Sequence, residues 1–158
     1  MTGKFRPILA AVVLLIAGCQ TPQPGDVTDQ GDRAVVTPEH LNWITDVQWT
    51  LERMVVEGRP FALTGDRPYI RFEPGGRVTG FGSVNRFFGL MQVGPGGVVR
   101  WPGGLASTRM AGPQPAMRQE QTFMAAVQAV TQWSIEGIKL YGRDAEGSTQ
   151  LVFSLPTP

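Results

Sequence analysis

The sequence predicts a mainly β, α+β domain: a small antiparallel, partly open barrel with one long helix near the C-terminus. Three observations carry this. Short runs of strand composition alternate with glycine-rich turns from Trp49 onward, as consecutive hairpins require. Val78–Val93 (VTGFGSVNRFFGLMQV) holds two such runs about a Gly-Ser-Val-Asn corner, which supplies positive φ and side chain-to-backbone bonds. A single apolar stripe at helical spacing, Phe123, Ala126, Val127 and Val130, follows the strands, with Met117 ahead of it.

In chain order, Met1–Gly18 reads as an export signal. Lys4 and Arg6 form a positive lead, Ile8–Ala17 an apolar run too short to span a bilayer, and Ile16-Ala17-Gly18 precedes Cys19. This resembles a bacterial lipoprotein signal, which implies acylation of Cys19 and anchorage to the membrane by several chains. Gln20 rather than Asp after Cys19 implies, by resemblance to enteric sorting rules, an outer-membrane protein facing the periplasm. Without its leader the chain carries 12 basic and 13 acidic residues, formally −1, so no basic bias points to nucleic acid. Cys19 is the sole cysteine, so its acylation would leave no thiol for a disulfide, metal or nucleophile. Residues 19–43 form the acylated cysteine, a Gln/Thr/Pro/Gly tether and a short helical turn begun by Thr37-Pro38, with Trp43 and Ile44 packing it down. The domain proper spans 44–155.

Within it, Trp49–Val56 is a strand with Trp49, Leu51 and Arg53 on one side; Gly58-Arg59-Pro60 ends it, and a loop runs to Pro68. Tyr69–Glu73 and Arg77–Gly80 form a hairpin with Ile70, Phe72 and Val78 on one face and Glu73 opposite Arg77. From Phe87 to Met91 both faces are apolar, which predicts a strand covered on both sides. Leu90–Val93 and Val98–Trp101 make a second hairpin about Gly94-Pro95-Gly96-Gly97, and Leu105–Gly112 is extended. The helix opens at Pro113–Pro115 and is capped by Gly137, with Arg118, Gln119, Gln121, Gln128 and Gln132 off the apolar stripe. Ile138–Tyr141 and Thr149–Leu155 form the last hairpin.

The residues now in place resemble the META domain family, which includes heat-inducible outer-membrane lipoproteins of the HslJ type. Trp49-Thr50-Leu51 matches its W-x-L strand, and Gly80–Met91 its G-x-x-G-C-N-x-F-x-G-x-Y motif with Asn85, Phe87 and Gly89 in place. Thr108–Gly112 stands for T-x-M-A-C, Glu120 and Phe123 for E-x-x-F, and the last two strands for G-x-x-L and L-x-F. Val84 and Gly112 replace the family's two cysteines and Met91 its late tyrosine. In relatives with both cysteines, positions 84 and 112 are then expected within disulfide reach. The resemblance implies a lipocalin-like, partly open barrel and an envelope role in stress, drug tolerance or secretion.

Chemistry is sparse. His40 is the single histidine and stands in a polar segment; Glu52, Glu57, Asp66, Glu73, Glu120 and Glu136 show no paired spacing and read as solvated charge. No catalytic residue, metal site or cofactor is predicted. The candidate ligand or structural positions are Asn85, Arg86, Phe87, Gly89 and Trp101, with Asn85 read first as a corner residue bonding nearby backbone. Gly80, Gly82 and Gly89 read as bends for barrel closure; no helix follows them as a phosphate-binding loop would need. Eleven of the twelve basic residues are arginine, and Arg71, Arg77, Arg86 and Arg100 are a candidate patch for lipid phosphates. The expectation is a non-enzymatic binding or accessory module, partnered by an envelope protein or lipid; the alternative is a carrier holding an apolar ligand in the barrel, beside Phe87, Phe88, Met91, Trp101 and Phe123.

Overall fold

The computed structural model describes residues 33–155; the leader, Cys19 and most of the tether lie outside them. β1 (Ala34–Val35) leads into a 3-10 turn, Pro38–Trp43. Pro38 opens that turn as expected, but the Thr37 hydroxyl bonds Glu39 Oε2 (2.6 Å) and His40 Nδ1 (3.1 Å) instead of capping backbone. Ile44 is buried, while Trp43 stays 46% exposed and stacks on His40 at 4.0 Å between centroids. Only one of the two expected anchors therefore packs the turn down.

β2 (Gln48–Val56) faces the core through Trp49, Leu51 and Met54. The pairing partner slips one residue between Val152 and Phe153, so Arg53 and Leu51 oppose adjacent residues and Glu52 is the extra one. That bulge reverses the alternation. It turns Arg53, expected beside Trp49 and Leu51, outward and brings Met54 in. The segment read as a loop holds a further strand, β3 (Arg59–Phe61), returned onto β2 by Glu57-Gly58, both at positive φ.

β4 (Tyr69–Phe72) and β5 (Arg77–Phe81) form the predicted hairpin about Pro74–Gly76. Ile70, Phe72 and Val78 are buried, and Glu73 N donates to Arg77 O at 2.8 Å. β6 (Arg86–Leu90) pairs with β5 in register Thr79↔Phe88, and β7 (Gln92–Val93) pairs with β8 (Val99–Arg100). β9 (Leu105–Ser107) flanks β6. The one long helix among the described residues, α1, runs Gln114–Ala129. It stops earlier than expected, because Gln132–Glu136 (QWSIE) is strand β10. Its Trp133 and Ile135 suit a pleated surface better than a helix end. Gly137, at φ 55°, turns β10 into β11 (Lys139–Arg143) and caps no helix; β12 (Gln150–Ser154) ends the described chain.

All pairings in the main sheet are antiparallel, in the order β1-β10-β11-β12-β2-β4-β5-β6-β9, with β3 beside β2. The end strands β1 and β9 do not pair, so the barrel is partly open. The β7–β8 hairpin reaches across, with Val99 N donating to Thr131 O at 2.8 Å and Val98 bridging Gln132. Helix α1 fills the curve of the sheet. Its Phe123 ring meets Phe87 of β6 at 5.9 Å and Phe153 of β12 at 6.2 Å, and Trp133 meets Phe72 and Phe153. Edge-on contacts of this kind add to the stabilisation from burial alone.

One expectation fails in an informative way. Phe87 and Met91 are buried as predicted, but Phe88 and Leu90 on the other face of the same segment are 54% and 52% exposed. The described chain packs the sheet on its inner face alone there.

Candidate functional site

The Gly82–Asn85 corner is where the sheet meets the helix. Gly82 N donates to Asn85 O at 2.8 Å, and Ser83 takes φ 126°, a conformation that costs a non-glycine residue energy and persists only where neighbours enforce it. They do so here. Ser83 Oγ donates to Asp66 O at 3.1 Å and accepts from Gln119 Nε2 at 2.6 Å. Gln119, fully buried, also donates to Asp66 O (3.2 Å) and accepts from Thr64 N (2.6 Å).

Next to it the Glu120 carboxylate receives the corner's backbone. Oε2 accepts from Val84 N (3.0 Å) and Asn85 N (2.5 Å), while Oε1 accepts from Asn85 Nδ2 (2.8 Å). Asn85 Oδ1 accepts from Thr108 Oγ1 (2.8 Å) and Met110 N (2.7 Å), and Nδ2 also donates to Met110 O (3.2 Å). Donors to an ionised acceptor are the stronger kind, and together they replace the water that Glu120 loses at 7% exposure. Gly82 is required there: a Cβ would stand 2.6 Å from Glu120 Cγ. The cluster thus ties the 64–66 loop, the corner and the 108–110 segment to one turn of α1.

Asn85, read as a corner residue bonding nearby backbone, instead joins its side chain to Glu120, Thr108 and Met110, all distant in sequence. Glu120, read as solvated charge, and Gln119, read as off the packed face, are both buried. The sign was present in the spacing: they precede Phe123 by three and four residues, so they continue its stripe. With three donors on its oxygens, Glu120 is a structural acceptor and is not placed as a free base. His40 stacks on Trp43, and its Nδ1 meets the Thr37 hydroxyl, whose proton is donated to Glu39 Oε2, so the ring is not placed to take that proton.

The remaining candidate positions do not converge. Phe87 fills the core, and Gly89 gives room where a Cβ would lie 2.6 Å from Leu105 Cδ2. Trp101 is half-buried and donates Nε1 to Val130 O at 3.0 Å, closing the end of α1. Arg86 projects outward. It does join two of the three other arginines of the candidate patch: Arg71, Arg77 and Arg86 line a depression of about 470 Å³ on the outer face with Tyr69, Thr79 and Phe88. Arg100 lies apart, beside Val98 and Gln92. Val84 and Gly112 do meet, since a Cβ on Gly112 would stand 3.4 Å from Val84 Cβ.

The fold is shared with solved structures. An NMR structure of a protein from Burkholderia xenovorans superposes with a TM-score of 0.63 at 19% identity, covering 87% of this chain and 100% of that one. A crystal structure of a DUF4847 family protein from Bacteroides vulgatus gives 0.55 at 13% identity, covering 74% and 97%. At such identities the likeness is one of fold. Because the first of those chains is covered whole, this fold stands without added elements. Comparison with curated proteins finds no match. The META domain family model matches residues 42–156, the span that holds the corner, the helix clasp and every strand of the main sheet but β1. The chain belongs to the META domain family.

Proposed function

We propose that this protein is a lipid-anchored module of the cell envelope that works by binding at its outer surface, without catalysis. The observation that carries the reading is the filled interior. Trp49, Trp133, Phe72, Phe87, Phe123 and Phe153 are each at most 2% exposed, and the rings of all but Trp49 interlock where a carrier would keep room for cargo. The engaged Glu120 carboxylate supports a structural rather than a chemical use of the one buried acid among the described residues. Anchorage is proposed from Ile16-Ala17-Gly18-Cys19, and an accessory part in envelope stress, drug tolerance or secretion from the family likeness.

Native mass spectrometry after gentle extraction tests this. The expected species is the protein with acyl chains on Cys19 and no stoichiometric apolar ligand in the barrel. A co-purifying lipid that survives removal of the acylated tether would overturn the reading in favour of a carrier. Fatty-acid labelling tests the anchor separately: label should vanish in Cys19→Ser, and equal label would refute it.

A further inference from the structure

Backbone register sets the outer face of β4, β5 and β6. One row across the strands reads Gln48, Arg71, Thr79, Phe88, Ala106; the next reads Thr50, Tyr69, Phe81, Arg86; a third pairs Arg77 with Leu90. Residues directly opposite lie about 5 Å apart, so the three arginine stems rise within one patch roughly 10–15 Å wide. Glu73 is the acid among them. Its Oε1 accepts from Thr79 Oγ1 (3.1 Å) and its Oε2 lies 3.7 Å from Arg77 Nε. The guanidinium groups of Arg71 and Arg86 have no hydrogen-bond or ion-pair partner among the described residues. The face therefore keeps a surplus of two positive charges on a mature chain that is formally −1.

Beside this depression lies a second, of about 420 Å³, lined by Leu90, Pro102 and Ala106; Arg77 and Phe88 border both. The outward side of β6 reads Arg86, Phe88, Leu90, with both apolar side chains about half exposed among the described residues, and contiguous apolar ground of this kind marks interaction surfaces. Adjoining cationic and apolar ground fits one chemistry better than others. Guanidinium groups fork onto phosphate oxygens, and a half-exposed aromatic with a neighbouring leucine suits the boundary between headgroups and acyl chains.

We propose that the outer face of β4–β6 docks on an anionic phospholipid surface, with Arg71, Arg77 and Arg86 on the phosphates and Phe88 and Leu90 at the acyl boundary. The proposal names the partner of the surface-binding module above and rests on that reading, but the contact itself needs no acyl chain. It predicts that the domain lies flat on the membrane that holds its anchor.

Co-sedimentation of residues 33–158, which lack Cys19 and its acyl chains, tests it independently of the anchor. Vesicles of phosphatidylcholine alone should not retain the domain; equimolar phosphatidylcholine–phosphatidylglycerol vesicles should, at low salt. Arg71→Gln with Arg86→Gln should weaken that binding about thirtyfold, from about 1 kcal/mol per arginine at an anionic surface. Arg71→Lys with Arg86→Lys should restore most of it, which separates charge from folding. Phe88→Ser should weaken binding while leaving its salt dependence in place. No retention by the mixed vesicles, equal retention by both kinds, or full binding by the double glutamine variant would each overturn the proposal. So would preference for a soluble polyglutamate over the mixed vesicles, which would assign the face to an acidic protein. None of these results bears on fatty-acid labelling of Cys19 or on the empty-barrel mass, so failure here is distinct from failure of the anchored-module reading.

Discussion

Asn85→Asp is the smallest change that should break the clasp, because it alters one group and no volume. Oδ1 can go on accepting from Thr108 Oγ1 and Met110 N, but the atom replacing Nδ2 faces Glu120 Oε1 at 2.8 Å and Met110 O at 3.2 Å, both acceptors. At neutral pH two donated bonds are lost, one of them to a charge, and a second carboxylate is placed against the first at 2% exposure. The lost bonds alone are worth about 2–4 kcal/mol, and the paired charges add to that. A proton on the introduced carboxyl restores one donor. The folded state therefore binds that proton more tightly than the unfolded chain, and the introduced carboxyl's pKa is raised on folding. The sign follows: the variant's stability is fullest below the unfolded value near 4 and declines as pH rises through the raised folded value. Each unit of elevation is worth about 1.4 kcal/mol, so an elevation of two to three units gives a loss of roughly 3–4 kcal/mol between acid and neutral pH. Urea melts of wild type and variant at pH 4 and pH 7.5 would measure it. A deficit that is small at neutral pH, or the same at both, would refute the placement of Asn85 against Glu120.

Three other outcomes are expected. Phe123→Ala removes a fully buried ring between Phe87 and Phe153 and should cost about 3–5 kcal/mol in urea melts. Val84→Cys with Gly112→Cys should oxidise to a bridge, because the 3.4 Å Cβ separation is at the short end of disulfide reach; thiol titration and a melt with and without reductant should show a gain of about 3–4 kcal/mol. In the β11–β12 turn, burial raises the Asp144 pKa but hydrogen bonds from Ser148 and Thr149 outweigh it, holding the carboxyl below its usual range. Its contribution is then present above the unfolded pKa and lost as pH falls through the folded one, so Asp144→Ala should cost about 1–2 kcal/mol at pH 7, and that cost should shrink on acidification.

What the sequence showed and hid follows from the range of each interaction. The β4–β5 hairpin was legible because Pro74-Gly75-Gly76 and the flanking alternation act within a few residues. β10 was not, since Gln132–Glu136 looks like a helix tail until β11 and β1 pair with it. The bulge at Glu52 was also hidden, being set by a partner about a hundred residues away. Phe88 and Leu90 misled for a different reason: apolar composition reports that burial would be favourable, and the described chain supplies no covering element. In the clasp, Asn85 stood out as a corner residue, but its partners on α1 and the 108–110 segment are tertiary. Glu120 and Gln119 were readable only by letting polar residues count as part of the stripe that runs through Phe123.

The position of β12 has a consequence for how the protein is made. β12, the most C-terminal of the described strands, inserts at the middle of the sheet, between β11 and β2, and does not add at its margin. Until Gln150–Ser154 is available, β2 and β11 each present an unpaired edge, and the two halves of the sheet have no ladder joining them. A nascent chain arrested before Gln150 is thus two incomplete sheets instead of a shortened barrel. Folding of the domain then waits on a pairing that closes a loop of about a hundred residues, and is correspondingly slow. Loss of β12 is therefore a route to aggregation through the two edges it leaves open, not to a smaller domain.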